Sequence, residues 1–370
     1  MEAKRKVIVY MISDINKALS FEWIAIHLKN KIDLNFVLLG KPKSLLSVFL
    51  KANSIPFYDV KLVNNRIFVW FKILKILYQL KPDIVHTHLW QANLLGLSAA
   101  WVLRIPKRIF TRHHATVHYR EHPSGRKWDR LCNVIATDII AISKNIEDIL
   151  IRMDRADAKK VNLLHHGFDF DYFSKVSETQ VYALRRKYKL EKQTGPVIGV
   201  ISRYMEWKGV QYIIPAFQKL KEQFPDAKLI LANAHGDYEE RIHELLQALP
   251  VDSFIEIRFE EDLAALYHLY DVFVHVPVDP HVEAFGQTYI EALISKIPSV
   301  FTLSGIAREF VTHQQNGWVV DFKSSDQIAQ GIIEILTNMQ LRERLIRNGE
   351  TSVQQFSLDR HILALEKIYT

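Results

Sequence analysis

Glu283-Ala-Phe-Gly-Gln-Thr-Tyr-Ile-Glu291 sets two carboxylates eight positions apart around a short turn that runs into an apolar helical pattern. Ala284 and Gly286 let backbone approach a ligand closely, and a helix beginning near Gly286 aims unpaired N–H groups and a positive dipole end at an anion such as a phosphate. Glu283 then faces the ligand from the loop, and Glu291 sits two turns down the helix. The plainer alternative is an ordinary strand-loop-helix with one capping and one solvated glutamate.

Away from that stretch, short β-branched runs alternate with longer segments of helical spacing. Val7-Ile-Val-Tyr-Met-Ile12, Asn35-Phe-Val-Leu-Leu39, Ile84-Val-His86, Arg108-Ile-Phe-Thr111, Asp138-Ile-Ile-Ala-Ile142 and Lys160-Val-Asn-Leu-Leu164 read as buried parallel strands, with helices over residues 21–29, 68–80 and 93–103. The theme repeats with strands at 197–201, 228–231, 254–257, 272–276, 299–302 and 317–320. Alternation on this scale implies an α/β protein of two doubly wound domains. Residues 188–196 are polar and end in Gly195-Pro196 before a strand, so they are expected to be the linker. The domains are then 1–187 and 196–352, followed by an amphipathic helical segment over 353–370. Open parallel sheets bind ligands beyond the carboxyl ends of their strands, and Arg203 and Lys208 follow such an end.

Composition agrees. At 370 residues the chain exceeds the size at which one core keeps growing, and with 48% apolar residues and no low-complexity tract it should be globular. The lone Cys132 leaves no disulfide framework, fits a reducing compartment and cannot supply a zinc site. No run reaches the ~18–20 apolar residues of a membrane span, and Met1-Glu-Ala-Lys-Arg-Lys6 enters the first strand without a signal-peptide core, so a cytoplasmic location is expected. Net charge is +7, but residues 1–180 hold 28 Lys/Arg against 16 Asp/Glu and the remainder 20 against 25. The basic half suits an anionic partner or a membrane surface, or is simply rich in solvated lysines. Nucleic acid is not expected, since no recognition motif is visible and the charges are dispersed.

Further motifs fall in a single order along the chain. Val197-Ile-Gly-Val-Ile-Ser-Arg203 precedes Glu206-Trp-Lys208-Gly209; Leu163-Leu-His-His-Gly167-Phe-Asp169, Asp83-Ile-Val-His86-Thr-His88, Thr111-Arg-His113 and Ala141-Ile-Ser143 lie upstream; Ile297-Pro298 and Asn316-Gly317-Trp318 lie downstream. Together with the Glu-x7-Glu nonapeptide, this set resembles retaining glycosyltransferases of the GT-B fold, in particular glycosyltransferase family 4. The resemblance runs from about Val7 to the C-terminus and implies two Rossmann-like domains facing across a cleft, the last helix crossing back to the first. Three departures bear on base and sugar preference. Ile12-Ser13-Asp14-Ile-Asn16 lacks the glycine pair that usually ends the first strand; Lys296 stands where a glycine is usual and Ser304-Gly305 keeps one glycine of two; and Leu231-Ala-Asn233-Ala-His235-Gly236 replaces a glycine-rich base-binding turn.

The resemblance also implies roles. Arg203 and Lys208 would hold the donor's diphosphate, offsetting the charge that builds on it as it leaves, so no metal or other cofactor is called for. Glu283 would hold the donor sugar and Glu291 the ribose hydroxyls, with the N–H groups of Phe285, Gly286 and Gln287, and Thr288 beside them, against sugar and phosphate. The base would rest near Arg258, Phe259 and Glu260. His113 stands where the family has a histidine touching donor sugar and acceptor, and Asp14, Glu22, His88, Arg112, His114 and Arg120 would face the acceptor. The implied reaction moves a sugar from a nucleoside-diphosphate sugar to a hydroxyl of a glycan or lipid-linked acceptor, as in cell-surface polysaccharide or glycolipid synthesis. A sugar-nucleotide epimerase of the same fold, or a catalytically silent sugar-nucleotide or membrane-binding protein, are the rivals.

Three other readings remain. His114, His118 and His122 have helical spacing, but no carboxylate of matching spacing joins them and arginines crowd the segment, so no metal site is expected. Asp169-Phe-Asp171 has the spacing of a metal-binding pair yet reads as a turn. Residues 41–51 and 66–81 are basic and amphipathic, fitting peripheral contact with a bilayer or a place over the sheet.

Overall fold

The apolar runs form strands because Val, Ile and Leu fit a pleated surface covered on both faces. The computed structural model describes residues 5–370, the side chains of Val117 and Arg120 excepted. It divides into two compact units: one runs to Phe168 and takes back Leu358–Thr370, the other is Asp169–Ser357. In the first unit β1 (Val7–Ser13), β2 (Asp33–Gly40), β3 (Phe57–Lys61), β4 (Ile84–His88), β5 (Lys107–Arg112), β6 (Asp138–Ala141) and β7 (Val161–Leu163) form one parallel sheet in the order β3-β2-β1-β4-β5-β6-β7. Its helices are α1 (Leu19–Leu28), α2 (Leu45–Ala52), α3 (Arg66–Leu80), α4 (Trp90–Val102), α5 (Val117–Arg120), α6 (Gly125–Ile135) and α7 (Lys144–Asp148).

The second unit opens with α8 (Phe170–Ser174) and α9 (Glu178–Lys187). Its strands β8 (Val197–Ile201), β9 (Lys228–Ala232), β10 (Phe254–Ile257), β11 (Val272–His275), β12 (Ser299–Phe301) and β13 (Trp318–Val319) pair in the order β10-β9-β8-β11-β12-β13. Between and after them come α10 (Val210–Gln223), α11 (Glu239–Leu246), α12 (Leu263–Tyr267), α13 (Gln287–Ile294), α14 (Ala307–Phe310), α15 (Ser325–Thr337) and α16 (Met339–Ser352). The closing helix α17 (Leu358–Tyr369) belongs to the first unit. Both sheets reverse their winding once, at β1/β4 and at β8/β11, the places where an open α/β sheet leaves a crevice at its carboxyl edge.

Alternation along the strands decides which helices cover which face. Ile8, Tyr10, Ile12 and Phe36 pack with Phe21 and Ile24 of α1 and with Leu365 and Tyr369 of α17. Val9, Met11, Val37 and Val85 pack with Val69, Ile73 and Leu77 of α3 and Ala99 of α4 on the other side.

The division does not fall at residues 188–196 as the Gly-Pro signal suggested. It falls after Phe168, because α8 and α9 are bound into the second unit: the Phe173 ring meets Tyr267 edge-on at 6.2 Å, Gln180 donates to Asp262 at 3.0 Å, and Lys187 and Tyr188 both reach Glu260. Asp169-Phe-Asp171 is a helix start, the Asp169 carboxylate accepting from the N–H groups of Asp171 at 3.0 Å and Tyr172 at 3.3 Å. Lys296 adopts φ 62°, the left-handed backbone that a glycine would take without strain just past the end of α13.

Candidate functional site

In the second unit the candidate side chains gather at the β8/β11 switch. Strand β8 ends at Ile201, and the following chain carries exposed Arg203, then a 3₁₀ turn, Glu206–Lys208. Gly209 closes that turn at φ 79°, where a Cβ would lie 1.9 Å from the Val276 carbonyl oxygen, so only glycine lets the turn press against the end of β11. This packing aims Lys208 at Glu283, Nζ to Oε1 2.5 Å, with Nζ also 4.6 Å from the Trp207 ring. His275, the last residue of β11, reaches the same oxygen with Nε2 at 3.2 Å.

Glu283 is 4% exposed. Burial pushes its carboxyl upward, but the Lys208 charge and the His275 hydrogen bond outweigh this and hold it at about 2. His275 is pushed down by burial and by Lys208, so it stays neutral at pH 7 and can donate one N–H to the carboxylate. Past Glu283 the chain turns through Gly286 at φ 88°, where a Cβ would strike the Tyr289 ring at 2.7 Å, and enters α13. Among the described residues no acceptor faces the N–H groups of Gly286, Gln287 and Thr288, and the buried Thr288 hydroxyl has no partner. A positive helix start therefore lies beside a fixed Lys–Glu pair, with Arg203 close in sequence and free of any ion pair among the described residues.

Glu291 is buried inside α13 and accepts from the Tyr267 hydroxyl at 2.8 Å. Among the described residues no cation pairs with it, and burial pushes its carboxyl up to about 7. The expected base-binding trio is less available. Glu260 accepts from Lys187, from Tyr188 and from the N–H groups of Glu261 at 2.8 Å and Asp262 at 3.1 Å, so its carboxylate already organises the start of α12. Arg258 pairs with Glu239 at 2.6 Å on the surface, while Phe259 is 56% exposed and open for stacking.

The first unit presents a different rim. Asp14 follows β1 exposed and at φ 52°, and Glu22 on α1 is half-buried, its carboxyl raised by burial against the pull of Lys17. His86 is a satisfied core residue, with Nδ1 2.7 Å from the Tyr369 hydroxyl and Nε2 2.8 Å from the Thr111 hydroxyl. His88 is 3% exposed, and its Nε2 has no hydrogen-bond partner among the described residues. Its Nδ1 lies 3.1 Å from Nε2 of His113, whose ring stacks on His166 at 5.5 Å. These rings border a cavity of about 20 Å³ with Tyr10 and His361. Burial drives His86, His88 and His166 well below the usual histidine range and His113 to about 4, so all four are neutral at pH 7.

Two residues expected on the acceptor side are engaged by partners inside the protein. Arg112 is 1% exposed and bridges Asp129 at 3.0 Å and Asp154 at 3.2 Å, so its charge is matched inside the protein. His114 lies 3.3 Å from Asp129 and is pushed to about 4 by burial and by Arg112, which leaves it uncharged toward an anion. The side chain of Arg120 lies outside the described residues. The histidine segment does gain the carboxylate that its spacing lacked: Asp129 comes from α6, 2.6 Å from His118 Nδ1, and ligand atoms of His114, His118 and Asp129 lie within 4.8 Å of one another. Short hydrogen bonds and the Arg112 guanidinium occupy that carboxylate, the pattern of a buried polar network.

Sequence reasoning passed over His275 and Tyr267, the residues that hold Glu283 and Glu291. The signal for His275 was present, a histidine ending a buried strand eight positions before Glu283.

Comparison with known proteins bears on this geometry. The model for glycosyl transferases group 1 matches residues 183–352, and that for glycosyltransferase family 4 matches residues 28–172. The capsular polysaccharide biosynthesis glycosyltransferase CapM of Staphylococcus aureus is 26% identical over 296 residues, 76% of this chain and 75% of the relative. The alpha-monoglucosyldiacylglycerol synthase of Acholeplasma laidlawii is 22% identical over 315 residues, 79% and 76% of the two chains. Among solved structures, Alr3699/HepE of Anabaena, determined in complex with UDP and glucose, superposes with a TM-score of 0.86 at 19% identity, covering 98% of this chain and 99% of that one.

Proposed function

The chain belongs to glycosyltransferase family 4, with the GT-B architecture of two Rossmann-like domains, and on that premise we propose that it moves a sugar from a nucleoside-diphosphate sugar to a hydroxyl of a glycan or lipid-linked acceptor, with retention at the anomeric carbon. The observation that carries this reading is the Lys208–Glu283–His275 cluster beside the open N–H groups of α13. As the bond from the anomeric carbon to the diphosphate breaks, negative charge grows on the departing phosphate. In this reading Lys208, Arg203 and the helix start stabilise that charge, and no metal is called for. Glu283, held ionised, accepts hydrogen bonds from donor-sugar hydroxyls, and Glu291 with Tyr267 receives the ribose. The acceptor oxygen forms its bond on the face the diphosphate leaves, and its proton passes to the departing phosphate oxygen.

Asp14, Glu22 and His113 belong to the acceptor side in this reading. A lipid-linked or polysaccharide acceptor is supported by the named activities of the Acholeplasma and Staphylococcus relatives and by the positive surplus of residues 1–180. A panel of sugar nucleotides tests it, with glycan and lipid acceptors, nucleoside diphosphate release and the anomeric configuration of the product read by NMR. Release with an α-linked product from an α-donor is expected. An inverted product, an isomerised donor, or binding without release would each overturn the proposal.

A further inference from the structure

Glu260 divides its two oxygens between two elements. Oε1 accepts from the N–H groups of Glu261 and Asp262 in the turn that opens α12, while Oε2 accepts from Lys187 at 2.7 Å and from the Tyr188 hydroxyl, both at the end of α9. Asp262 repeats the pattern, Oδ1 taking the Ala265 N–H at 3.1 Å and Oδ2 the Gln180 side chain at 3.0 Å. Two carboxylates thus stitch α9 to the start of α12. Only 5% of the Glu260 side-chain surface is exposed. Burial pushes its carboxyl upward, but the bonds from Lys187 and Tyr188 outweigh this and leave it lowered. The Tyr188 hydroxyl is pushed up to about 12 by burial and by Glu260, so at neutral pH the one accepts and the other donates.

These bridges hold the step from β10 to α12. At its near end the Ile257 carbonyl accepts from the Ala234 N–H at 3.1 Å, and Arg258 is paired with Glu239. Phe259 comes next, 56% exposed between those anchors and Glu260. A phenyl ring left open at the carboxyl edge of a parallel sheet is a stacking surface, and the five residues of α12 lead from it to Tyr267, the partner of Glu291. On a slack loop that ring would have to be ordered each time a ligand arrived; a loop ordered in advance avoids that entropic cost. We propose that Lys187 and Tyr188 are positioning residues of the donor site, holding Phe259 through Glu260 where the donor's nucleobase stacks on its ring. Their role rests on the reading of this unit as a nucleoside-diphosphate-sugar site.

Titration calorimetry of the full chain with UDP, ADP, GDP and ribose 5-diphosphate, which lacks a base, is the test. Stacking of one base on an aromatic side chain is worth roughly 5- to 100-fold in affinity, so the native chain should bind at least one nucleoside diphosphate more tightly than ribose 5-diphosphate. Lys187→Gln with Tyr188→Phe should cost about tenfold in affinity for the tightest nucleoside diphosphate and leave ribose 5-diphosphate unchanged. Phe259→Ser should show the same selective loss, and joining it to the other two should add nothing. Lys187→Arg keeps the ion pair and should bind like the native chain. In turnover the donor KM should rise while kcat stays nearly level, because the base is gripped alike in ground and transition states. Ribose 5-diphosphate reports an intact site, so a variant that loses both kinds of ligand equally would make the tether merely structural and overturn the proposal. Unchanged nucleoside diphosphate affinity, losses that add to that of Phe259→Ser, or a native chain indifferent to the base would overturn it too, and each would leave the donor reading standing. A native chain that binds none of the four probes would overturn that reading, and the role of Lys187 and Tyr188 with it.

Discussion

Each unit holds a cation, a carboxylate and a histidine at strand ends, and the two clusters differ in what surrounds them. Around Arg112 every charge is answered from within: Asp129 and Asp154 flank the guanidinium, His114 and His118 lean on Asp129, and Tyr119 donates to Asp154 at 2.6 Å. Around Lys208 the circle is open, because Lys208 keeps 15% of its side-chain surface, Arg203 is exposed, and the first N–H groups of α13 meet no acceptor among the described residues. Similar side chains thus hold a fold together in one place and, in the proposed reading, receive an anion in the other. What distinguishes them is not residue type but whether every cation and backbone donor already has a partner among the described residues.

The sharpest way to break this contrast is to remove each cation in turn. Arg112→Ala leaves two buried carboxylates without their partner, and thermal or denaturant unfolding should show a loss of about 3–5 kcal/mol. A variant as stable as the native chain would make the first cluster something other than structural. Lys208→Ala should instead cost on the order of 10²–10³-fold in turnover, mostly in kcat, with a smaller loss of stability. Turnover within a few-fold of native would remove Lys208 from the transition state.

The effect of Glu291 is somewhat smaller and depends on pH. Its folded pKa stands at about 7 against 4.5 for an ordinary glutamate, so the folded state binds its proton more tightly. The fold is therefore unpenalised below pH 4.5, and it loses roughly 3 kcal/mol as pH rises from there through 7. Glu291→Gln should erase that decline in a series of melts while weakening donor binding. Glu283 is depressed to about 2, so its contribution is present above 4.5 and disappears only as pH falls below that. A Glu291→Gln profile that falls like the native one between pH 4.5 and 7 would mean that Glu291 is not the group responsible.

Much of this was legible in the sequence, for reasons that particular residues make plain. The strands that were read correctly are buried on both faces, as β1 and β8 are, so their composition is continuous and apolar. Strand β3 was missed because it lies at the sheet edge, where Tyr58, Asp59 and Lys61 face water and dilute the pattern. The Glu283–Glu291 turn was visible because turn, glycine and helix start are local. The ion pairs of Arg112 could not be read from the sequence because Asp129 and Asp154, which enclose it, come from separate elements. The boundary was misplaced for the same reason: Gly195-Pro196 is a true local turn, but the allegiance of α8 and α9 is decided by contacts with Tyr267 and Glu260.

Helix α17 gives the first unit a history that its finished form conceals. Tyr369 joins Tyr10 and His86, and Leu358 donates its N–H to Phe168 at 2.9 Å, so residues that complete this core leave the ribosome after the whole second unit. At ordinary synthesis speeds that interval is roughly ten to forty seconds, during which the face bearing Tyr10, Phe21 and Ile24 lacks its cover. The second unit, continuous in sequence, can fold at once. The nascent first half is therefore the segment most in need of a chaperone, and the last dozen residues act as its latch.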